Sequence, residues 1–434
     1  MSELGGEGGA DFFGRIPLFR EFARLMATGG GPVNWELARQ VAVATAAGAD
    51  ALGGLPGLPA PGAAPGPGEG RAWDDRLRLA ELWVEPATSL PGPGRTVTAR
   101  PVSPPDWAEA VLPGFAPLVE PGARRMAEAL GPLAGGDMPG GGEVLGRVGG
   151  LLTGLQTGTL VGQLARGVLT EAELAMPPAE AGRVLVVPEN VQAFEDATAL
   201  PGDQLRIWLA CQAVVAERLF SGVPWLRDHL HGLVGEIARQ TEPDASGLMD
   251  RLQSLDMAQP ERLQELLEGG EGLLGPPSAA LQAAIARLEV LLALVAGYQV
   301  AISGRALQGR LPALAGIEAA VGRRLADPEG PQQLLAALLR ADPERAGGGH
   351  GEAFCREVLA ATDIDGLDRV WAHPDFLPAA EELAVPGRWL ERVGLVGGEE
   401  VDLDEGLRAL LEGEGGEPGP DEPGGDGEEP RPPA

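Results

Sequence analysis

The chain has 434 residues, 44% of them hydrophobic, which is long enough and apolar enough for one large domain or two and excludes wholesale disorder. The formal net charge is −30 and no lysine occurs, so the composition argues against nucleic acid and against anionic membranes as partners. Two cysteines are too few for a disulfide framework, and the N-terminal residues lack the apolar core of a signal peptide. We therefore expect a cytoplasmic protein.

The first third of the chain predicts short helices interrupted by glycine and proline. Residues 1–10 are expected to be a flexible acidic leader, and residues 11–134 an N-terminal helical part. Within that part, residues 53–70 are almost all Gly, Pro and Ala, which is typical of a linker. Asn34 and Ser103 each precede a helical pattern and can cap its first turn. A brief strand is predicted between these two helices, at residues 96–101.

The next helix, at about residues 143–169, carries glycine at every fourth position. Glycine inside a helix costs up to about 1 kcal/mol relative to alanine, so a stripe of it needs a reason. Close approach of another helix along the stripe supplies one, because small residues let two backbones come together. Compositional drift toward glycine is the alternative. The glycines are Gly146, Gly150, Gly154, Gly158 and Gly162.

The segment 201–220, PGDQLRIWLACQAVVAERLF, predicts an amphipathic helix capped by Asp203. Its apolar residues recur at three- and four-residue steps and should form one buried face. That face contains a single amide, Gln212, which needs a hydrogen-bonding partner if it is buried. Cys211 lies beside the face without a neighbouring histidine, so we expect a packed thiol rather than a nucleophile.

The remaining elements complete a mainly α fold with a few short strands. Residues 183–188 are the best strand candidate, and residues 278–303 predict a long helix that is apolar on all sides and central to a domain. We expect residues 143–395 to form the main helical domain. From residue 412 to residue 434, eight acidic residues and one arginine lie among glycine and proline, which is typical of a disordered acidic tail.

No local sequence motif identifies a reaction that this protein would catalyse. There is no G-x-S-x-G nucleophile elbow, no Walker A loop and no C-x-x-C pair. His229 and His231 would lie about 200° apart on a helix and could not share a metal. His350 lacks further ligands near it. In the turn His373-Pro374-Asp375, either His373 or Asp375 is expected to cap a helix rather than to catalyse.

Six segments together resemble one family of bacterial zincin-like proteins, known as zinc-dependent metalloproteases or hydrolases. The resemblance extends from about residue 12 to about residue 393. The segments are GGGPVNWELARQVA (29–42), GLQTGTLVGQLARGVL (154–169), VPENVQAF (187–194), RLFSGVPWLRDHL (218–230), LEVLLALVAGYQV (288–300) and VWAHPDFLPAAEEL (370–383).

The resemblance implies a zinc site, but the residues at the corresponding positions of this chain are not the expected zinc ligands. In such proteins the helix before RLF-x-x-VPWL carries an H-E-x-x-H-like motif, in which two histidines grip Zn²⁺ and the glutamate polarises a bound water. A third ligand, a glutamate, comes from the long apolar helix. Mapped onto this chain, the histidines become Gln212 and Ala216, the catalytic glutamate becomes Ala213, and the third ligand becomes Ala296. Shifting the motif by a residue or two does not restore it, because no histidine precedes His229.

Three hypotheses follow for the function. The leading one is a member of this family that has lost its catalytic motif and its zinc, and that acts as a non-catalytic scaffold or binding protein for an unidentified protein or peptide. The second is an active zinc-dependent hydrolase that uses displaced groups. The third is a regulatory binding module whose acidic tail takes a basic partner. The displaced groups of the second hypothesis would come from Asp228, His229, Glu236 and Glu195.

Overall fold

The structure is a computed structural model that describes residues 31–48, 65–66, 68–130, 141–241, 277–342, 345 and 348–396. The expected leader, most of the predicted linker and the acidic tail lie outside these residues. The described residues up to Trp389 belong to one compact unit, and those from Leu390 onward begin a second.

The described part is mainly helical with two short strands, as the sequence predicts. The helices are α1 (Trp35–Ala46), α2 (Glu69–Val84), α3 (Pro104–Val111), α4 (Ala116–Leu130), α5 (Gly141–Gly167), α6 (Pro188–Thr198), α7 (Gly202–Gly222), α8 (Leu226–Gln240), α9 (Ala279–Leu307), α10 (Leu314–Leu325), α11 (Pro331–Leu338), α12 (Gly348–Ala361), α13 (Ile364–Asp368), α14 (Ala380–Ala384) and α15 (Pro386–Arg392). The strands β1 (Thr98–Pro101) and β2 (Arg183–Val186) pair in parallel, with Thr98 opposite Arg183.

Two of the predicted helix starts are confirmed by their capping hydrogen bonds. The side chain of Asn34 accepts a bond from the backbone N–H of Leu37 at 3.0 Å, which starts α1. The Ser103 hydroxyl accepts from the N–H of Asp106 at 3.3 Å, which starts α3. Because both caps are local, the sequence alone could place them.

The glycine stripe of α5 is the surface on which α1 packs. A Cβ atom at Gly154 would lie 2.5 Å from the backbone oxygen of Asn34, the cap of α1, and one at Gly158 would lie 2.5 Å from that of Ala38. A Cβ atom at Gly162 would meet Thr45 at 2.5 Å. Gly150 is nearly as tight, at 2.9 Å from the Gly31 oxygen, whereas Gly146 has open space. Close helix packing therefore accounts for four of the five glycines.

Helix α7 differs from its prediction in two ways. It is buried on all sides from Ile207 to Phe220 rather than along one face, because α2 packs on it as well as α9. Asp203 does not cap it. The cap position is Pro201, whose carbonyl accepts from the N–H of Leu205 at 3.0 Å, and Asp203 lies inside the first turn. The Pro201 ring fixes its φ angle, and the helix begins at the next residue, Gly202. Asp203 is therefore already a helical residue and cannot be the cap.

Helix α9 runs through the centre of the fold, as its all-round apolar pattern predicts. Every residue from Leu288 to Ser303 is buried, and α2, α7, α8, α10 and α12 all pack on it. By length and composition, α9 is also the one helix in the described part that could cross a membrane, and 61% of its most apolar stretch is buried inside the protein.

Candidate functional site

The first three positions that the resemblance assigns to the zinc site lie in the middle of α7. Gln212 is 2% exposed, Ala213 is buried, and Ala216 is 6% exposed. Gln212 and Ala216 are four residues apart and therefore lie on one side of the helix, together with Trp208 one turn earlier. The two positions keep the spacing that a pair of histidine ligands needs.

The fourth position, Ala296, lies in the middle of α9, the helix that packs beside α7. It is 3% exposed. Gln299 and Ser303 follow it at three and seven residues, so the three share one side of α9. The ligand positions of both helices thus belong to the buried core.

Buried polar atoms without partners accompany these positions. Within the described residues, the Trp208 Nε1 and Gln212 Oε1 atoms of α7 and the Gln299 Nε2 and Ser303 Oγ atoms of α9 make no hydrogen bond. Each such atom costs about 1–3 kcal/mol when buried unpaired. They lie on the same helix sides as Ala216 and Ala296, so each of these sides carries polar groups inside an apolar core.

The residues at the four positions do not fit a zinc ion. Zinc in proteins is held by thiolate, imidazole or carboxylate, and here the donor set is one neutral amide and three methyl groups. Within the described residues, no group of three or more His, Cys, Asp or Glu side chains is placed to hold a metal ion.

Three of the displaced candidates lie on α8. The His229 ring packs edge-on against Trp225 with 5.5 Å between centroids, and burial together with Arg287 lowers the pKa of His229. Glu236 accepts a hydrogen bond from Arg287 at 2.5 Å. Asp228 is exposed. His229 and Glu236 thus share the neighbourhood of Arg287.

The fourth candidate, Glu195, lies on α6 and is engaged elsewhere. Its two carboxylate oxygens accept from the Arg206 guanidinium at 2.6 and 2.9 Å. The same carboxylate lies against the start of α7, where a Cβ at Gly202 would approach it to 2.7 Å. Glu195 therefore has a structural role in joining α6 to α7.

The remaining residues with reactive side chains behave as expected. Burial raises the pKa of the Cys211 thiol to about 12, which keeps it protonated at neutral pH. His373 caps a short helical turn, accepting from the Asp375 N–H at 3.2 Å through Nδ1. His350 is exposed.

Sequence reasoning missed a polar cluster on the side of α9 that faces away from Ala296. Tyr298 donates to the Asp368 carboxylate at 2.6 Å, and the hydroxyl groups of Thr88 and Ser89 donate to the same carboxylate at 2.9 and 2.7 Å. Burial and the nearby Asp368 charge raise the pKa of Tyr298 well above its usual value. The only sequence signal was that Tyr298 is the single tyrosine of the chain.

Comparison with known proteins gives one family and one solved structure. A sequence model described as zincin-like metallopeptidase matches residues 33–390. The solved structure, from Chloroflexus aurantiacus, is described as a "putative hydrolase with a novel fold". It is 22% identical, with a TM-score of 0.58, and the match covers 84% of this chain and 100% of that one, which shows a shared fold. No curated protein matches the sequence.

Proposed function

We propose that this chain, which belongs to the zincin-like metallopeptidase family, has lost the family's zinc site and acts as a non-catalytic scaffold or binding protein. The observation that carries the proposal is the set of residues at the four assigned positions. Gln212, Ala213, Ala216 and Ala296 offer one amide where the resemblance implies two imidazoles and two carboxylates.

Each of the four residues lacks a group that zinc-dependent hydrolysis would need. Alanine at positions 216 and 296 has no lone pair to give to a metal, and an amide at position 212 is a poor zinc ligand. Alanine at position 213 removes the carboxylate that would polarise a bound water. The two helices nevertheless remain the centre of the core, so the fold does not depend on ligand side chains at these positions.

A binding role fits what the chain retains. The net charge of −30 favours a basic protein or peptide over a nucleic acid or an anionic membrane. The acidic tail, residues 412–434, has eight acidic residues and one arginine and is the candidate segment for such a partner. We place the protein in the cytoplasm, in keeping with its low cysteine content.

Restoring the ligands tests the loss directly. We expect the variant with Gln212→His, Ala213→Glu, Ala216→His and Ala296→Glu to bind zinc with a dissociation constant of about 1 µM or tighter, measured by competition with a chromophoric chelator. The matched control carries Gln212→Asn, Ala213→Gln, Ala216→Asn and Ala296→Gln, which adds comparable bulk without ligand groups. A folded ligand variant that binds zinc no better than this control would show that these positions are not a former metal site.

The binding role has its own test. Affinity capture of proteins from a bacterial extract is compared for the full chain and for a chain lacking residues 412–434. We expect a basic protein that is captured by the full chain and released at high salt, since screening weakens exposed charge pairs. Capture that does not depend on residues 412–434 would remove the tail from the proposal.

A further inference from the structure

A cavity of about 330 Å³ lies away from the four ligand positions. Three elements enclose it: the turn between α3 and α4, the segment from Glu171 to Ala179, and the first two turns of α8. Its volume is at the lower end of the range of about 300–1,000 Å³ that is typical of small-molecule sites. The cavity is therefore large enough for a compact ligand.

The wall of this cavity is apolar and stiff. Phe115 and Leu174 are buried side chains that line it, and Met176 adds a further apolar surface. Four prolines also line it, and each has a fixed φ angle, so the wall is largely preformed. The prolines are Pro113, Pro117, Pro177 and Pro178. A preformed apolar wall favours a ligand with an apolar body.

The polar groups of the cavity are few and are arranged on two sides. Arg227 and His231 lie four residues apart on α8, so both line the cavity from the same helix face. Arg227 is exposed. Within the described residues its guanidinium forms no close ion pair, and Glu217 is a carboxylate on which its charge acts. Arg227 is a cation at the edge of an apolar cavity with its five N–H donors available to an anion.

Glu171 lines the cavity from the opposite segment. Its carboxylate is fixed in place, since its oxygens accept from the backbone N–H groups of Ala179 at 3.0 Å and Leu185 at 3.1 Å. Burial, with the nearby Glu217 and Glu180, raises the pKa of Glu171 to about 7. The carboxyl group is thus protonated in part of the molecules at neutral pH, which reduces the negative charge that faces Arg227.

We infer that this cavity binds a small monocarboxylic acid with an aromatic or aliphatic body. The carboxylate pairs with the Arg227 guanidinium, which matches a carboxylate with two parallel N–H donors, and His231 lies beside this pair. The apolar body packs against Phe115, Leu174 and the prolines. The inference does not depend on the loss of zinc, because none of these residues is an assigned ligand position.

The test uses isothermal titration of the full chain with 4-phenylbutyrate, phenylacetate and octanoate. We expect at least one of the three to bind with a dissociation constant below about 1 mM, and 4-phenylbutan-1-ol to bind at least about tenfold more weakly than 4-phenylbutyrate. If all three acids fail to bind at about 10 mM, or the alcohol binds as tightly as the acid, the inference is wrong.

Two variants locate the site. Arg227→Gln should weaken binding of the acid at least about tenfold, while Arg239→Gln, at the far end of the same helix, should leave it unchanged. Gly114→Phe should also abolish binding, since Gly114 lines the cavity and a Cβ there meets nothing within 4 Å. Its matched control is Gly232→Phe, at an equally open position of α8 that does not line the cavity. Unchanged affinity in Arg227→Gln or in Gly114→Phe would contradict the site.

The pH dependence gives a separate check. The charged and titratable groups around Glu171 are Arg227 and His231 on α8, Glu217 on α7, and Glu180 before β2. Raising the pH from about 6 to about 8 ionises Glu171 and should weaken binding several-fold, because a carboxylate ligand is repelled by a like charge. Glu171→Gln should remove most of this change. An identical pH dependence in the variant would contradict the placement of the ligand next to Glu171.

Discussion

Gly351 of α12 lies directly on the carbonyl group of Ala293 in α9, where a Cβ atom would be 1.8 Å from the oxygen. One turn along, a Cβ at Gly297 would be 2.1 Å from the Gly351 carbonyl carbon. The two helices therefore touch backbone to backbone beside Ala296. A ligand-bearing side chain at position 296 would project from a helix that this contact holds firmly in place.

We expect Gly351→Ala to destabilise the protein by about 1–3 kcal/mol or more, because the backbone atoms that the methyl group meets cannot move aside cheaply. The matched control is Gly349→Ala in the same helix, where a Cβ has open space. The control should be neutral or stabilising by up to about 1 kcal/mol, since alanine favours helix more than glycine does. Urea unfolding measures both, and equal effects would contradict the close contact.

Replacing the buried amide of α7 should stabilise the fold. Gln212→Met keeps the side-chain volume and removes an oxygen that has no hydrogen-bonding partner among the described residues. We expect the free energy of unfolding to rise by about 1–2 kcal/mol. Gln204→Met is the control, because the Gln204 oxygen accepts from the Ala313 N–H at 2.9 Å and its loss should destabilise. A loss of stability in Gln212→Met would mean that the amide has a partner in solution.

The stability of the protein should fall as the pH rises through neutrality. Burial raises the pKa of Glu171 from 4.5 to about 7, so the folded state binds more protons than the unfolded state between these values. The stabilisation is therefore complete below about pH 4.5 and is lost as the pH rises through about 7, with an upper limit of about 3 kcal/mol. Glu217, whose pKa burial also raises, contributes in the same direction.

Unfolding free energies at about pH 5 and about pH 8 measure this effect. Glu171→Gln should reduce the difference between the two pH values, whereas Glu357→Gln, at an exposed position of α12, should not. A difference that is the same in Glu171→Gln and in the unaltered chain would contradict the assignment to Glu171.

We expect no cleavage of unfolded protein substrates. Unfolded casein incubated with the purified chain and added zinc should remain intact, because no carboxylate or imidazole occupies the assigned positions to activate water. His229→Ala is the companion variant. Zinc-dependent cleavage that disappears in His229→Ala would instead support an active hydrolase with displaced groups.

The elements that the sequence predicted well are those whose pattern is local or repeated. Glycine at every fourth residue indicated a close helix contact, and the structure has it from Gly150 to Gly162, against α1 and the residues just before it. The all-round apolar pattern of α9 predicted its central position. Asn34 and Ser103 lie next to the N–H groups they cap. In each case the deciding interactions lie within a few residues or repeat along one helix.

The features that the sequence did not predict depend on contacts between residues that are distant in sequence. The burial of α7 on all sides requires α2, more than 100 residues earlier in the chain, to pack on it. Tyr298 and Asp368 are 70 residues apart, and Thr88 is 210 residues from Tyr298, so no local pattern pairs them. The cavity at Glu171 is formed by three segments that are separate in sequence. Only the folded chain brings these side chains together.

The metal content of the purified protein tests the central claim most directly. The full chain is purified without chelators, dialysed against buffer with zinc and then against buffer without it, and measured by elemental analysis alongside the four-ligand variant. We predict far less than one zinc per chain in the unaltered protein and close to one in the variant. One tightly held zinc per unaltered chain would contradict the loss of the site.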